Sequence, residues 1–141
     1  MTPLLPVAAD LEPLMKAAAL LTLLLIATLL NTEPAAAGDA EAGGRLFTKT
    51  CGGCHSVGLN ARGGFGPQLN GVIGRLAGTT ADYQYSDAMK NSGVVWTRET
   101  LAAYIENPKK VVSGTRMIFW GISDQEKIEN LLAYLETFQV Q

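Results

Sequence analysis

One histidine and two cysteines stand in the 141 residues of this chain, and these scarcities narrow its chemistry more than anything abundant in it. A single imidazole excludes any pair of histidine metal ligands and any relay between two histidines. With Cys51, Cys54 and His55 as the only soft donors of that kind, a closed structural zinc site falls one short of the usual four ligands. Strong charge is missing as well, for the formal net charge is −2, and without a clearly basic face nucleic-acid binding has no electrostatic footprint. No stretch alternates polar and apolar residues for long enough to build a sheet. Finally, no apolar run reaches the roughly 20 residues of a membrane-spanning helix.

The longest such run is Ala17 to Leu30, fourteen residues without a charge, followed by Asn31 to Ala37 with small residues at Ala35 and Ala37. This is the layout of a secretory signal peptide ending in an A-x-A site, so the expected division is a signal at 1–37 and one compact domain at 38–141. The segment before the run carries Asp10 and Glu12 but no Lys or Arg, whereas Met15-Lys16 begins a better signal, so translation is expected to start at Met15. The expected location is the periplasm, with no stable membrane insertion. Removing the signal leaves ten basic and ten acidic residues. Their signs are segregated: Lys109, Lys110 and Arg116 precede Met117, while Asp124, Glu126, Glu129 and Glu136 follow it.

Helical patches recur along the exported part, which predicts an all-α fold with long loops. Asp39 can cap a first helix with Ala42, Leu46 and Phe47 on one face, weakened by Gly43-Gly44. A short helix is expected over Asp87 to Asn91, stopped by Gly93. Thr97 can cap a helix carrying Leu101, Tyr104 and Ile105 that ends near Asn107, because Pro108 disfavours helix in the residue before it. The run from Pro108 to Arg116 reads as irregular. The last helix is expected to start with a capping box at Ser123-Asp124-Gln125-Glu126, with Ile128, Leu131, Leu132, Leu135 and Phe138 at helical spacing. Between Ser56 and Ser86 lies a glycine-rich stretch of little periodicity, too long for a loop in a small domain unless it wraps a large rigid object.

Cys51-Gly52-Gly53-Cys54-His55 supplies a candidate object, since CxxCH is the pattern of c-type haem attachment. Two thiols three positions apart can add to the two vinyl groups on one porphyrin edge, and the adjoining imidazole then falls under the iron. A disulfide is the competing reading, but thioredoxin-like motifs belong to a βαβ setting absent here. With no second histidine, the remaining good sixth ligand is a methionine thioether, and beyond the signal only Met89 and Met117 qualify. Met89 beside a short helix reads as a packing residue. Met117, in a loop where packing is less obvious, is the expected ligand. Such a six-coordinate site carries single electrons by outer-sphere transfer, whereas a haem peroxidase or gas sensor needs an open sixth position.

From Gly38 onward the chain resembles the short class I cytochromes c, mitochondrial cytochrome c and bacterial cytochrome c2 among them. The resemblance rests on the CxxCH together with Gly66-Pro67, Gly74-Arg75, Tyr85-Ser86-Asp87-Ala88, Trp96, Tyr104, Glu106-Asn107-Pro108-Lys109-Lys110, Gly114-Thr115, Met117-Ile118-Phe119 and Leu132-Ala133-Tyr134-Leu135. It implies one covalent haem c wrapped by short helices and long loops, with the first and last helices packed together through Gly43, Phe47, Leu131 and Tyr134. It implies further that Pro67 offers its carbonyl to the His55 ring, that Arg75, Tyr85 and Trp96 hydrogen-bond the propionates, and that Tyr104 and Thr115 steady the Met117 side.

Two positions depart from the mitochondrial pattern, with Met89 where an asparagine is usual and Ser113 where a proline is usual. The lysine ring is also thinner, leaving Arg45, Lys49, Arg62, Lys109, Lys110 and Arg116. Lys109, Lys110 and Arg116 are the expected docking residues for transient redox partners, such as a cytochrome bc complex and a terminal oxidase or reaction centre, in a respiratory or photosynthetic chain. The protein is expected to be a monomer.

Overall fold

A computed structural model describes residues 38–139. The expected signal at 1–37, including the start at Met15, lies outside the described residues. Within them the chain is helical, and its only β-type pairing is an isolated antiparallel bridge between Leu76 and Val95.

The first helix, α1 (Ala40–Thr50), begins where Asp39 turns extended and its carboxylate accepts the backbone N–H groups of Glu41 and Ala42. Its partner is the last helix, α5 (Gln125–Glu136), whose Ile128, Leu131, Leu132 and Leu135 are almost wholly buried. The contact depends on a missing side chain. A Cβ at Gly43 would sit 1.9 Å from the Asn130 carbonyl oxygen and 2.9 Å from Tyr134 Cβ. Phe47 then packs on Tyr134 with ring centroids 5.4 Å apart. At the end of the same seam, the Asp39 N–H donates to Asn130 Oδ1 at 2.6 Å.

Three shorter helices lie between. Ser86 caps α2 (Asp87–Lys90), and Thr97 caps α3 (Arg98–Glu106). The run after α3 is not irregular throughout, for Pro108–Val111 forms α4 with proline in its first turn. Proline's missing N–H and fixed φ suit that position, and Asn107 both ends α3 and caps α4 through its side chain. Arg98 on α3 is ion-paired to both Glu129 and Glu136 on α5, which raises the guanidinium pKa. Being partly exposed, this pair of contacts adds little stability.

The cap of α5 is Asp124, one residue beyond the expected Ser123. Asp124 accepts from the Lys127 backbone N–H at 3.2 Å and from Lys127 Nζ at 2.7 Å. A carboxylate with an ammonium at the third helical position outcompetes a serine that would need Glu126 there. The helix ends at Glu136, so Phe138 lies past it and packs on Tyr134 from the tail. The side-chain hydrogen bond from Lys127 holds the Asp124 carboxyl below its ordinary value of 3.8. A lowered carboxyl pKa means stabilisation that is complete above the ordinary value and lost as pH falls through the lowered one. Asp124→Ala should therefore melt a few degrees lower at pH 7, and thermal scans should show its deficit against wild type shrinking below about pH 3.8.

The glycine-rich 56–86 stretch satisfies its backbone piecemeal rather than by a ladder. Gly58 and Asn70 exchange two hydrogen bonds of 2.8 Å. Gly71 N–H donates to Phe138 O at 2.8 Å, tying the loop to the chain's far end.

Candidate functional site

The helical turn after α1 converts local sequence into a site. Cys51 is the C-cap of α1, and the N–H groups of Cys54 and His55 both donate to the Cys51 carbonyl, at 3.0 and 2.9 Å. One tight turn therefore delivers both sulfurs and the imidazole to the same wall of a cavity of about 280 Å³. Burial pushes the Cys51 thiol up to about 11, with the neighbouring Cys54 adding to it. A reactive redox dithiol is favoured by the opposite shift.

Gly66 follows the imidazole closely: a Cβ there would lie 2.6 Å from His55 Cε1. That approach brings the Pro67 carbonyl to 2.8 Å from His55 Nδ1. A carbonyl only accepts, so Nδ1 carries the proton and Nε2 keeps its lone pair. Burial lowers the His55 pKa, against the smaller pull of the Pro67 carbonyl. The ring is thus held neutral, oriented and basic at Nε2, which is what a metal ligand needs.

Residues 115 to 120 belong to no helix, and their burial alternates. Thr115, Met117 and Phe119 are partly buried and line the cavity; Arg116, Ile118 and Trp120 are exposed, and the first two of these also line it. The Thr115 hydroxyl fixes this segment, pairing with Tyr104 OH at 2.7 Å and accepting the Met117 N–H at 3.3 Å. Tyr104 in turn packs on Trp96 with centroids 4.8 Å apart.

Every expected haem-side residue lines this one cavity: Cys51, Cys54, His55, Pro67, Arg75, Tyr85, Trp96, Tyr104, Thr115 and Met117. Arg75 here donates to the carbonyls of Asn70 and Gln68, and Tyr85 OH pairs with Thr80. Of the three expected docking residues Arg116 reaches the cavity, while Lys109 and Lys110 ride on α4 and do not line it. Met89 is buried, as a packing residue should be, yet it also lines the cavity. Phe65, Tyr83 and Phe119 are lining residues that the sequence reading passed over. Only Phe119 carried a usable signal, two residues beyond Met117.

The donor set suits a flat apolar group fixed at one edge. Two thiols on a single turn, a basic ring nitrogen, a thioether, and an otherwise aliphatic and aromatic wall that includes Leu69, Val72 and Leu101 are what an iron porphyrin requires.

Comparison with known proteins agrees. The family model described as Cytochrome c matches residues 40–139. Cytochrome c2 of Blastochloris viridis is 47% identical over 108 residues, covering 77% of this chain and 84% of that protein. Cytochrome c of Cannabis sativa is 46% identical over 99 residues, covering 70% and 89%. The solved structure of cytochrome cH from Methylobacterium extorquens superimposes with a TM-score of 0.66 at 46% identity, covering 71% of this chain and 99% of that one.

Proposed function

Because this chain belongs to the cytochrome c family, we propose that it is an exported, periplasmic single-electron shuttle with His55 and Met117 as its two axial ligands. The coarser part is established by that membership: the protein binds one covalent haem c and is an electron carrier, not an enzyme. The observation that carries the finer reading is the convergence of the Pro67-oriented His55 and the Thr115-anchored Met117 on the cavity that holds Cys51 and Cys54.

Bound haem supplies a one-electron iron couple. The protein's part is to hold and tune it. Cys51 and Cys54 tether one edge, so orientation is fixed by the turn that ends α1. Pro67 keeps the proton on His55 Nδ1, leaving Nε2 to bind. The thioether of Met117, a weak and soft donor, favours the reduced state and raises the potential. Buried Val72, Met89, Trp96 and Leu101 keep water from that environment, which further favours the less charged form. In this reading Arg75, Tyr85 and Trp96, which all line the cavity, receive the propionates.

Export rests on the 1–37 signal pattern, and among the described residues no helix is long and apolar enough to cross a membrane. The basic Lys109, Lys110 and Arg116 suit transient docking to acidic redox proteins of a respiratory or photosynthetic chain, the class that includes bc complexes, oxidases and reaction centres.

An optical spectrum of the purified exported protein tests the reading. The haem should resist extraction into acidified acetone, and the ferrous spectrum at neutral pH should not change when carbon monoxide is added. Rapid carbon monoxide binding by the native protein would refute a stable Met117 ligand.

A further inference from the structure

Gly66 is buried against the His55 ring, and the limb of chain that leads into it, Gly63 to Phe65, is poorly held by its own neighbourhood. Local bonds fix only the base of the loop: Gly66 N–H donates to Cys54 O and Leu69 N–H to Ser56 O, both at 2.9 Å. Ahead of that base stand two consecutive glycines, which lose more freedom on ordering than any other pair would. The Phe65 ring is 90% exposed, so packing on the core does not hold the limb down. Its hold comes instead from a turn eighteen and nineteen positions away in sequence. Gly63 N–H donates to Asp82 Oδ2 at 2.7 Å, and Tyr83 OH donates to Phe65 O at 3.1 Å. A Cβ on Gly63 would fall 2.3 Å from the Asp82 carbonyl oxygen and 3.3 Å from Tyr83 Cβ, so the two backbones meet with no room between them. The holding turn is itself braced. Tyr83 stands edge-on to Tyr85 with centroids 4.8 Å apart, and Tyr85 OH pairs with Thr80 Oγ1 at 2.6 Å. Asp82 forms no ion pair among the described residues; its carboxylate is committed to the limb.

We propose that Asp82 is a positioning residue for His55: with Tyr83 it clasps the 63–66 limb, the clasp presses Gly66 onto the imidazole, and the Pro67 carbonyl is thereby kept in line with Nδ1. The proposal rests on the reading of His55 as an iron ligand. Its chemical consequence is in basicity. A carbonyl firmly bonded to the Nδ1–H makes Nε2 a better donor, and better donation favours ferric iron, so a looser clasp should raise the reduction potential. The competing account is that Asp82 acts through its charge alone, since an anion near the iron also favours the ferric state. Charge and clasp can be separated by substitution.

Hydrogen exchange of the His55 Nδ1–H, followed by NMR on the ferrous holo-protein, makes the separation. Asp82→Ala removes the acceptor, and Gly63→Ala wedges the two backbones apart with no change of charge. Each should speed that exchange by about tenfold or more and raise the reduction potential. Asp82→Asn keeps an acceptor oxygen while losing the charge, and should exchange within about twofold of wild type. The Leu131 and Leu132 amides, in the seam between α1 and α5, should exchange at the wild-type rate in all three variants. Unchanged His55 exchange in Asp82→Ala and Gly63→Ala would overturn the proposal, as would Asp82→Asn matching Asp82→Ala, which is the signature of charge. Exchange at Leu131 and Leu132 quickening in step would overturn it too, because that marks a general loss of stability. A wild-type ferric protein whose His55 ring protons show no paramagnetic shift would instead overturn the ligand reading beneath it.

Discussion

Met117→Ala should turn a protein that ignores carbon monoxide into one that binds it stoichiometrically in the ferrous state. Thr115 and Tyr104 are still expected to hold the backbone of this segment in place, so the variant loses a ligand rather than a fold. No histidine is available to replace it, since the only one is held at Nδ1 by Pro67. The reduction potential should also fall, because the thioether is the donor that raises it. The informative control is Met89→Leu, which preserves volume in the same cavity and should cost under about 1.5 kcal/mol. If Met89 is only a lining residue, this variant keeps the wild-type spectrum and stays closed to carbon monoxide. The reverse pattern, an open Met89→Leu and a closed Met117→Ala, would exchange the roles of the two methionines.

The largest loss of stability is expected from Gly43→Ala. The new methyl group would fall 1.9 Å from a backbone carbonyl oxygen and 2.6 Å from its carbon, neither of which can swing aside as a flexible side-chain tip could. Helices α1 and α5 must separate, loosening Phe47 from Tyr134 and thinning the cover over Leu131. A cost of about 3 kcal/mol or more follows from overpacking of this severity. For a domain near 100 residues that is a drop in melting temperature of roughly 15 °C. Gly64→Ala, where an added Cβ meets nothing within 4 Å, should change the midpoint little. Comparable melting of the two variants would show that the α1–α5 seam yields more readily than its geometry suggests.

Local chemistry was the readable part of this fold. Asp39 and Thr97 cap where expected because a cap depends on its own neighbours, and Pro108 stops α3 for a reason carried by a single ring. The misreadings had two causes, competition between neighbouring signals and contacts between distant ones. The expected cap Ser123 gave way to Asp124, because the Lys127 ammonium reaches back to that carboxylate. Helix α4 has four residues and so no period to detect. At the site, the sulfurs and the imidazole were legible because one turn contains them. Phe65 and Tyr83 become lining residues only when the glycine-rich stretch closes, with Tyr83 OH donating to Phe65 O at 3.1 Å across eighteen positions of sequence. Nothing in either residue's neighbourhood announces that.

The bond from Asp39 to Asn130 joins residues ninety-one positions apart, and with it the first helix waits for the last. Until nearly all of the chain is available, α1 has no surface on which to bury Phe47, and a helix of eleven residues with two central glycines does not persist alone. The timing of closure is therefore set by the tail of the polypeptide. Before the last helix arrives the Cys51 to His55 turn stays open, and the wall of the cavity closes over it only when α1 and α5 meet.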